Sequence, residues 1–129
     1  MQVGIDVGAT KIESVVLEKN GNEKHRSRIS CPKEYTQIIT AIRDIHKQLE
    51  KEFKQELPIG VCHPGVHSPQ TGLVKNAPNI NWLEKNLFKM IYVKHLEKKY
   101  FVKMMQTVLL YQNLLMDQVN ITKLFMALY

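Results

Sequence analysis

The sequence predicts an α/β domain made of a β-meander, one amphipathic helix and a returning parallel strand. Short runs rich in Val and Ile, separated by turn residues, fill about the first thirty positions. Apolar residues then recur at helical spacing as far as Phe53, and a second apolar run, LPIGVC, follows at residues 57–62. Strands followed by a helix and a further strand are the pattern of a sheet with a helix packed on it.

The meander is predicted from three strand-like segments and the turns between them. QVGID at residues 2–6 and KIESVVLEK at residues 11–19 flank the small-residue turn GAT at residues 8–10. Asn-Gly follows at residues 20–21, and this pair favours a tight hairpin because both positions tolerate positive φ. A third strand is therefore expected over residues 23–31.

The helix is predicted from residues that share one face at three- and four-residue spacing. These are Ile38, Ile42, Ile45, Leu49 and Phe53. Charged residues occupy the remaining faces, as an amphipathic helix requires. After this helix, Pro58 is tolerated near a strand start, and the apolar residues up to Cys62 suit a buried parallel strand.

Composition divides the chain into two parts. Residues 1–88 carry 12 Lys and Arg against 10 Asp and Glu, whereas residues 89–129 carry 6 against 2. All 6 glycines and all 5 prolines precede residue 89, while 5 of the 6 methionines follow it. We therefore expect a domain over residues 1–88 and an atypical tail over 89–129. The basic stretch from Lys85 to Lys103 is interpreted as a solvated face, which is favoured over a nucleic-acid site.

Several other classes of protein are disfavoured by the sequence. No segment approaches the roughly 20 apolar residues of a membrane span, and Met1 leads directly into a strand-like run without an export signal, so a cytoplasmic protein is expected. Cys31 and Cys62 belong to no metal-ligand pattern and are interpreted as reduced, structural thiols.

The first turn carries residues suited to phosphate and metal. Asp6 ends the first strand, where a carboxylate holds Mg²⁺ directly or through water. Gly8 permits close approach of a ligand to the backbone, while Thr10 adds a hydroxyl and Lys11 a mobile positive charge. These residues alone leave two readings open, a phosphate-binding turn and a plain hairpin with a surface lysine.

Three ordered motifs resemble those of the ROK family of sugar kinases. They are VGIDVGATKIE at residues 3–13, GVCHPG at residues 60–65 and SPQTGLVKNAPNINWL at residues 68–83. The last is most similar to the fructokinase and mannokinase branch. The resemblance covers about residues 2–88 and implies the ribonuclease-H-like fold of actin-like ATPases, of which this part would be the amino-terminal lobe.

The resemblance also implies cofactors and site residues. ATP and Mg²⁺ would be the cofactors, a fructose-like hexose the substrate, and dimers are common in the family. The residues facing the ATP phosphates and Mg²⁺ would be Asp6, Gly8, Thr10 and Lys11, with Asp6 nearest the metal. Gly65 would border the sugar pocket, and Asn79 would hydrogen-bond sugar hydroxyls.

Two positions depart from the family pattern. Ala9 stands where a second glycine is usual, which would stiffen the turn or restrict the approach of the nucleotide. Val61-Cys62-His63 replaces the usual approach to Pro-Gly, and we interpret His63 as a surface or loop-packing residue rather than a catalytic one.

The family's catalytic base, the Asp of an NDAN motif, is absent from the sequence as written. Met104-Met105-Gln106 must be encoded ATG ATG CAR. In the shifted reading frame, each codon consists of the third base of one codon and the first two bases of the next. These bases then encode Asp-Ala. With permitted codon choices, residues 103–120 read NDANCFALSESADGSGQ in that frame. We therefore hypothesise a reading-frame slip near Phe88 and an out-of-frame tail. A divergent helical tail is the alternative.

The expected activity follows from this resemblance. The chain would be the amino-terminal part of an ATP-dependent, fructokinase-like hexose kinase, inactive by itself because it lacks the catalytic Asp, the family's zinc-binding His/Cys cluster and the second lobe. The alternative is a non-catalytic sugar-binding or regulatory remnant. A repressor is disfavoured because the first strand begins at Gln2, which leaves no room for a preceding DNA-binding domain.

Overall fold

A computed structural model describes residues 1–68, 70–76 and 101–102 of the chain, and it contains the predicted sheet and helix. The elements are β1 Gln2–Val7, β2 Lys11–Leu17, β3 Glu23–Ser30, α1 Tyr35–Phe53, β4 Ile59–Cys62, β5 Val66–His67, β6 Val74–Lys75 and β7 Phe101–Val102. The predicted meander, helix and fourth strand are confirmed, with bounds that shift by a few residues. Most of the tail and Asn79 lie outside the described residues.

The main sheet has five strands in the order β3-β2-β1-β4-β7. β1 pairs antiparallel with β2 and parallel with β4, so it lies between a hairpin partner and a strand that arrives after the helix. β7 pairs in parallel with the other side of β4. A separate antiparallel ribbon joins β5 and β6. The carboxyl ends of β1 and β4 therefore meet at one edge of the sheet.

One face of the sheet is apolar and carries α1. Side chains from β1, β2 and β4 form a single cluster with those of the helix, and its fully buried members include Val3, Ile5, Ile38, Ile42 and Ile59. Burying one such side chain contributes about 1.5–3 kcal/mol. The period-2 alternation of β1 and the helical spacing of α1 thus meet in the same core.

The helix buries more than its predicted stripe. Ile39 and His46 are also buried, whereas Ile45 and Phe53 are partly exposed and pack at the margin of the core. His46 is accommodated because its Nε2 lies 2.8 Å from the carbonyl oxygen of Leu57. This bond satisfies a buried polar group and ties the helix to the segment that enters β4.

Local signals in the sequence fix the ends of the elements. Gly21 has φ 94° whereas Asn20 has a negative φ, and the Gly21 N–H donates to the Glu18 carbonyl at 2.9 Å, so the hairpin is a longer loop that ends in a left-handed glycine and not a two-residue Asn-Gly turn. Lys54 ends α1 with φ 51°, and its N–H donates to the Glu50 carbonyl. Left-handed backbone at a helix end is usually provided by glycine, so a lysine there stores strain.

Two earlier interpretations of single residues are resolved by burial. Cys31 and Cys62 are free, buried thiols. His63 is fully buried and therefore not at the surface, and its Nδ1 lies 2.8 Å from the Pro64 carbonyl oxygen. Among the described residues, no helix combines the length and apolar character that crossing a membrane demands.

Candidate functional site

The candidate site lies on the sheet face opposite α1, at the carboxyl end of β1. The register places Asp6 beside Glu13 of β2 on one side and Cys62 of β4 on the other. Paired residues in adjacent strands project to the same face of a sheet. Three polar side chains thus form a row across the three central strands.

The turn between β1 and β2 is closed by backbone hydrogen bonds. The Gly8 N–H donates to the Lys11 carbonyl at 2.9 Å. A Cβ at Gly8 would lie only 3.2 Å from that oxygen, so the turn is tight because the residue is glycine. Next to it, the side chain of Thr10 is exposed while Ala9 packs against the core.

Two bonds from the segment before α1 hold the turn from outside. The Cys31 N–H donates to the Thr10 carbonyl at 3.0 Å, and the Lys33 Nζ donates to the Ala9 carbonyl at 2.8 Å. The turn is therefore restrained on its far side, and Lys33 brings a second cation beside it. Sequence reasoning missed Lys33 because the contact joins residues that are distant along the chain.

Lys11 is held by an ion pair. Its Nζ lies 2.9 Å from Oε2 of Glu13, while 42% of its side chain stays exposed. The spacing of two residues within one strand puts both side chains on the same face. Lys11 was predicted as a mobile charge for phosphate, and in this structure its ammonium is anchored to Glu13.

Glu13 is the centre of a cationic cluster. Only 7% of its side chain is exposed, and it also accepts bonds from Arg26 at 2.8 Å and Arg28 at 3.1 Å. Its bonds with Lys11 and Arg26, together with the charge of Arg28, lower the pKa of Glu13 to about 2. Arg26 also pairs with the carboxylate of Glu23, so the positive charges of this cluster are largely balanced by carboxylates. We call Asp6, Cys62 and this cluster the polar patch.

Asp6 is bound on its other side by a thiol. The Cys62 Sγ–H donates to Oδ1 of Asp6 at 3.0 Å. Burial of Cys62 and the negative charge of Asp6 both raise the pKa of this thiol, so it stays protonated and able to donate. Sequence reasoning noted Cys62 as a departure from the family pattern without assigning it this contact.

The structure places the predicted site residues in two groups. Asp6, Gly8, Thr10 and Lys11 lie together on the end of β1, the turn and the start of β2. Gly65 follows β4, whose parallel pairing with β1 brings it to the same edge of the sheet, and its φ of 96° requires glycine. Asn79 lies outside the described residues.

The residues present fit ATP phosphates with Mg²⁺. Asp6 offers a partly exposed hard oxygen ligand, and Thr10 in the adjoining turn has an exposed side chain with a hydroxyl. Within the described ranges no group of three or more His, Cys, Asp or Glu side chains is arranged to hold a metal. One carboxylate with waters and phosphate oxygens is a usual setting for Mg²⁺.

Comparisons of sequence connect the chain to sugar kinases. The profile of the ROK family matches residues 2–105. N-acetyl-D-glucosamine kinase of Haemophilus influenzae is 30% identical over 76 residues, which cover 58% of this chain and 25% of that protein. The Pasteurella multocida enzyme of the same name is 31% identical over 77 residues. The chain thus matches about a quarter of the length of these relatives.

Comparisons of structure agree on the fold. The ROK hexokinase from Thermus thermophilus superposes with a TM-score of 0.66 at 22% identity, covering 80% of this chain and 34% of that one. A ROK glucokinase from Streptomyces griseus, solved with glucose and AMPPNP, gives 0.64 at 21% identity, covering 80% and 32%. The sheet and helix are those of the actin-like ATPase fold. Because the family profile matches residues 2–105, which is most of this chain, the chain belongs to the ROK family.

Proposed function

We propose that this chain is the phosphate-binding part of a ROK sugar kinase that uses ATP and Mg²⁺. The observation that carries the proposal is the joint position of Asp6, Gly8 and Lys11 at the carboxyl end of β1. A carboxylate that holds the metal and an ammonium that faces the phosphates are groups that a metal-bound triphosphate requires, and the tight glycine turn joins the two strands that carry them. The S. griseus glucokinase, which shares the fold, was solved with AMPPNP.

The substrate proposed is a hexose, with fructose first because of the motif at residues 68–83. The relatives described above are N-acetyl-D-glucosamine kinases, and the solved structures include a hexokinase and a glucokinase. Fructose, N-acetylglucosamine and glucose are therefore the three sugars to compare. Gly65 is the described residue proposed to border the pocket.

We also propose that the chain alone is catalytically inactive, with a tail out of frame. The NDAN codons begin at the third base of Lys103, directly after β7 at Phe101–Val102. β7 pairs with β4, and the family match reaches residue 105. Both observations favour a reading-frame slip just after Val102 over one near Phe88. The gene's nucleotide sequence tests this: codons unable to encode NDAN in the shifted frame contradict it.

Nucleotide binding is tested by calorimetry on the full chain with AMPPNP and Mg²⁺. Lys11→Met removes the proposed phosphate cation, and we expect at least a tenfold weaker affinity for the variant, since charge-assisted bonds are worth about 1.5–3 kcal/mol. Lys19→Met is the matched control, because Lys19 is an exposed lysine beyond the other end of β2. Absence of binding by the wild-type chain, or equal losses in both variants, contradicts the proposal.

Sugar phosphorylation is measured separately with ATP and each of the three sugars. We expect no turnover from residues 1–129, because their sequence has no NDAN motif to supply the proposed base, and closure of two lobes normally completes such sites. Turnover of any sugar contradicts the inactive assignment while supporting the kinase. Sugar binding without nucleotide binding supports the regulatory alternative.

A further inference from the structure

The carboxylate of Asp6 is the group that the proposed function depends on most, and its orientation is not set by its own strand. A short aspartate at a strand end has several staggered rotamers of similar energy. Only a contact from a neighbouring element selects one of them. In this structure β4, which lies next to β1, provides such a contact.

That contact comes from Cys62, which occupies the register position beside Asp6. Its Sγ lies 3.0 Å from Asp6 Oδ1, and Cys62 is 0% exposed. The backbone of both residues is held by strand pairing, because Asp6 and Cys62 form the last matched pair of the β1–β4 ladder. The thiol is thus a rigid donor with water excluded around it.

We propose that Cys62 is a positioning residue that locks Asp6 in the orientation needed for Mg²⁺–ATP. The bond occupies Oδ1 and leaves Oδ2 of the carboxylate for the metal or its water. Donors that orient metal-binding carboxylates commonly change metal affinity by 10–100-fold. This proposal extends the proposed function, since the ligand it prepares Asp6 for is the metal-bound nucleotide.

Chemistry supports a thiol in this role. A thiol carries one S–H donor on a short side chain, and at 3.0 Å from Oδ1 it donates to Asp6 without placing a formal charge there. A negatively charged neighbour would compete with phosphate, and a methyl group would donate nothing. Serine is the closest replacement because a hydroxyl is also one donor on a short side chain.

The test compares Cys62→Ala with Cys62→Ser in the full chain, using Cys31→Ala as the matched control. Cys31 is the other buried free cysteine, and its Sγ–H donates to the Pro32 carbonyl at 3.4 Å, not to Asp6. The first readout is the χ1 rotamer of Asp6 from three-bond NMR couplings, which needs no ligand. We expect one rotamer in the wild type, Cys62→Ser and Cys31→Ala, and rotamer averaging in Cys62→Ala.

The second readout is Mn²⁺ binding in the presence of AMPPNP, followed by paramagnetic broadening of the Val7 and Gly8 amide signals. We expect roughly tenfold weaker Mn²⁺ affinity in Cys62→Ala and near wild-type affinity in the other two variants. Urea unfolding of all four proteins shows whether a loss of Mn²⁺ affinity accompanies a loss of unfolding free energy. If Cys62→Ser and Cys62→Ala both lose Mn²⁺ affinity, each in proportion to its loss of unfolding free energy, the proposal is overturned.

The two readouts separate the two proposals. A single Asp6 rotamer that Cys62→Ala leaves unchanged overturns the positioning role, whatever the chain binds. Loss of the single rotamer in a chain that shows no Mn²⁺ broadening supports the thiol lock and contradicts the nucleotide site. Averaged Asp6 couplings in the wild type also overturn the lock.

Discussion

The two faces of the sheet hold their side chains by different means. On the face that carries α1, Val3, Ile5 and Val7 are fully buried among apolar neighbours, and their position is set by packing. On the opposite face, Asp6 is held by a hydrogen bond from a thiol, and Glu13 is held by ion pairs with three cations. Packing tolerates little change in volume, whereas bonded polar groups tolerate changes that keep donor and charge. The proposed chemistry thus belongs to the face opposite α1, where Val15 and Leu17 are also buried, whereas the face that carries α1 contributes the larger apolar core.

The largest effect is expected on the apolar face. Ile5→Ala removes a side chain that is 0% exposed in the central strand, and it should lower the free energy of unfolding by about 2–5 kcal/mol because a cavity remains. Ile29→Ala is the control on β3, where the side chain is 40% exposed, and it should cost well under half as much. Equal losses in urea unfolding would show that the apolar face is not the main source of stability.

A smaller effect is expected from Glu13→Gln on the polar patch. The variant keeps the shape but loses the charge paired with Lys11, Arg26 and Arg28, at a cost of about 1–2 kcal/mol at pH 7. Glu34→Gln, at the exposed N-cap of α1, keeps an oxygen that can accept from Gln37 and removes only a charge at the helix N-terminus, so it should cost less, about 0.3–1 kcal/mol. Urea unfolding at pH 7 compares the two.

The same variant gives a pH signature with a defined sign. The folded-state pKa of Glu13 is about 2, below its ordinary 4.5, so the unfolded chain binds the proton more readily. The stabilisation is complete above pH 4.5 and is lost as the pH falls toward 2. Unfolding measured between pH 6 and pH 2 should therefore show the gap between wild type and Glu13→Gln closing in acid. A constant gap would contradict the paired carboxylate.

Substitutions at two adjacent residues of the turn should affect different properties, nucleotide affinity at Gly8 and stability at Ala9. Gly8→Ala places a Cβ 3.2 Å from the Lys11 carbonyl oxygen, so this oxygen must shift by a few tenths of an ångström, and AMPPNP affinity should fall by about tenfold, or about 1.4 kcal/mol. Ala9→Gly removes a methyl group that packs against the core, and its cost should be about 0.4–1 kcal/mol of stability with affinity retained. Calorimetry and urea unfolding on both variants check this contrast. Equal affinities would remove the turn from the proposed site.

The smallest effect is expected at Lys33. Lys33→Met breaks the Nζ bond to the Ala9 carbonyl, and because the pair is exposed the free energy of unfolding should change by less than about 0.5 kcal/mol. Faster hydrogen exchange confined to the turn amides is the expected signature. Lys47→Met on the exposed side of α1 is the control and should leave the turn unchanged.

Much of the fold is readable from local patterns. The alternation in β1 and β2, Asn-Gly at residues 20–21 and the helical spacing of Ile38 and Ile42 each depend on neighbours close along the chain. For the same reason the tight turn at Gly8 was predicted. His46 was missed because its partner, the Leu57 carbonyl, is a long-range contact that no helical periodicity encodes.

The site was predicted less completely than the fold. Residue types pointed to Asp6 and Lys11, but the partners that orient them, Cys62 and Glu13, become evident only from the register of three strands. Spacing of two residues was the available signal for Glu13, since Lys11 and Glu13 must share a face of one strand. For Cys62 no signal existed in the sequence, because 56 positions separate it from Asp6.

That separation gives the buried thiol a further use as a kinetic probe. The β1–β2 hairpin needs only short loop closure, whereas the pairing of β1 with β4 must wait for a much longer one. A thiol reagent reaches Cys62 only when these two central strands part. Its labelling rate under native conditions therefore reports the opening free energy of the sheet centre, as slow amide exchange does elsewhere. In Cys31→Ala, where Cys62 is the only cysteine, pairing of β1 with β4 and assembly of the proposed site can thus be followed at one sulfur atom.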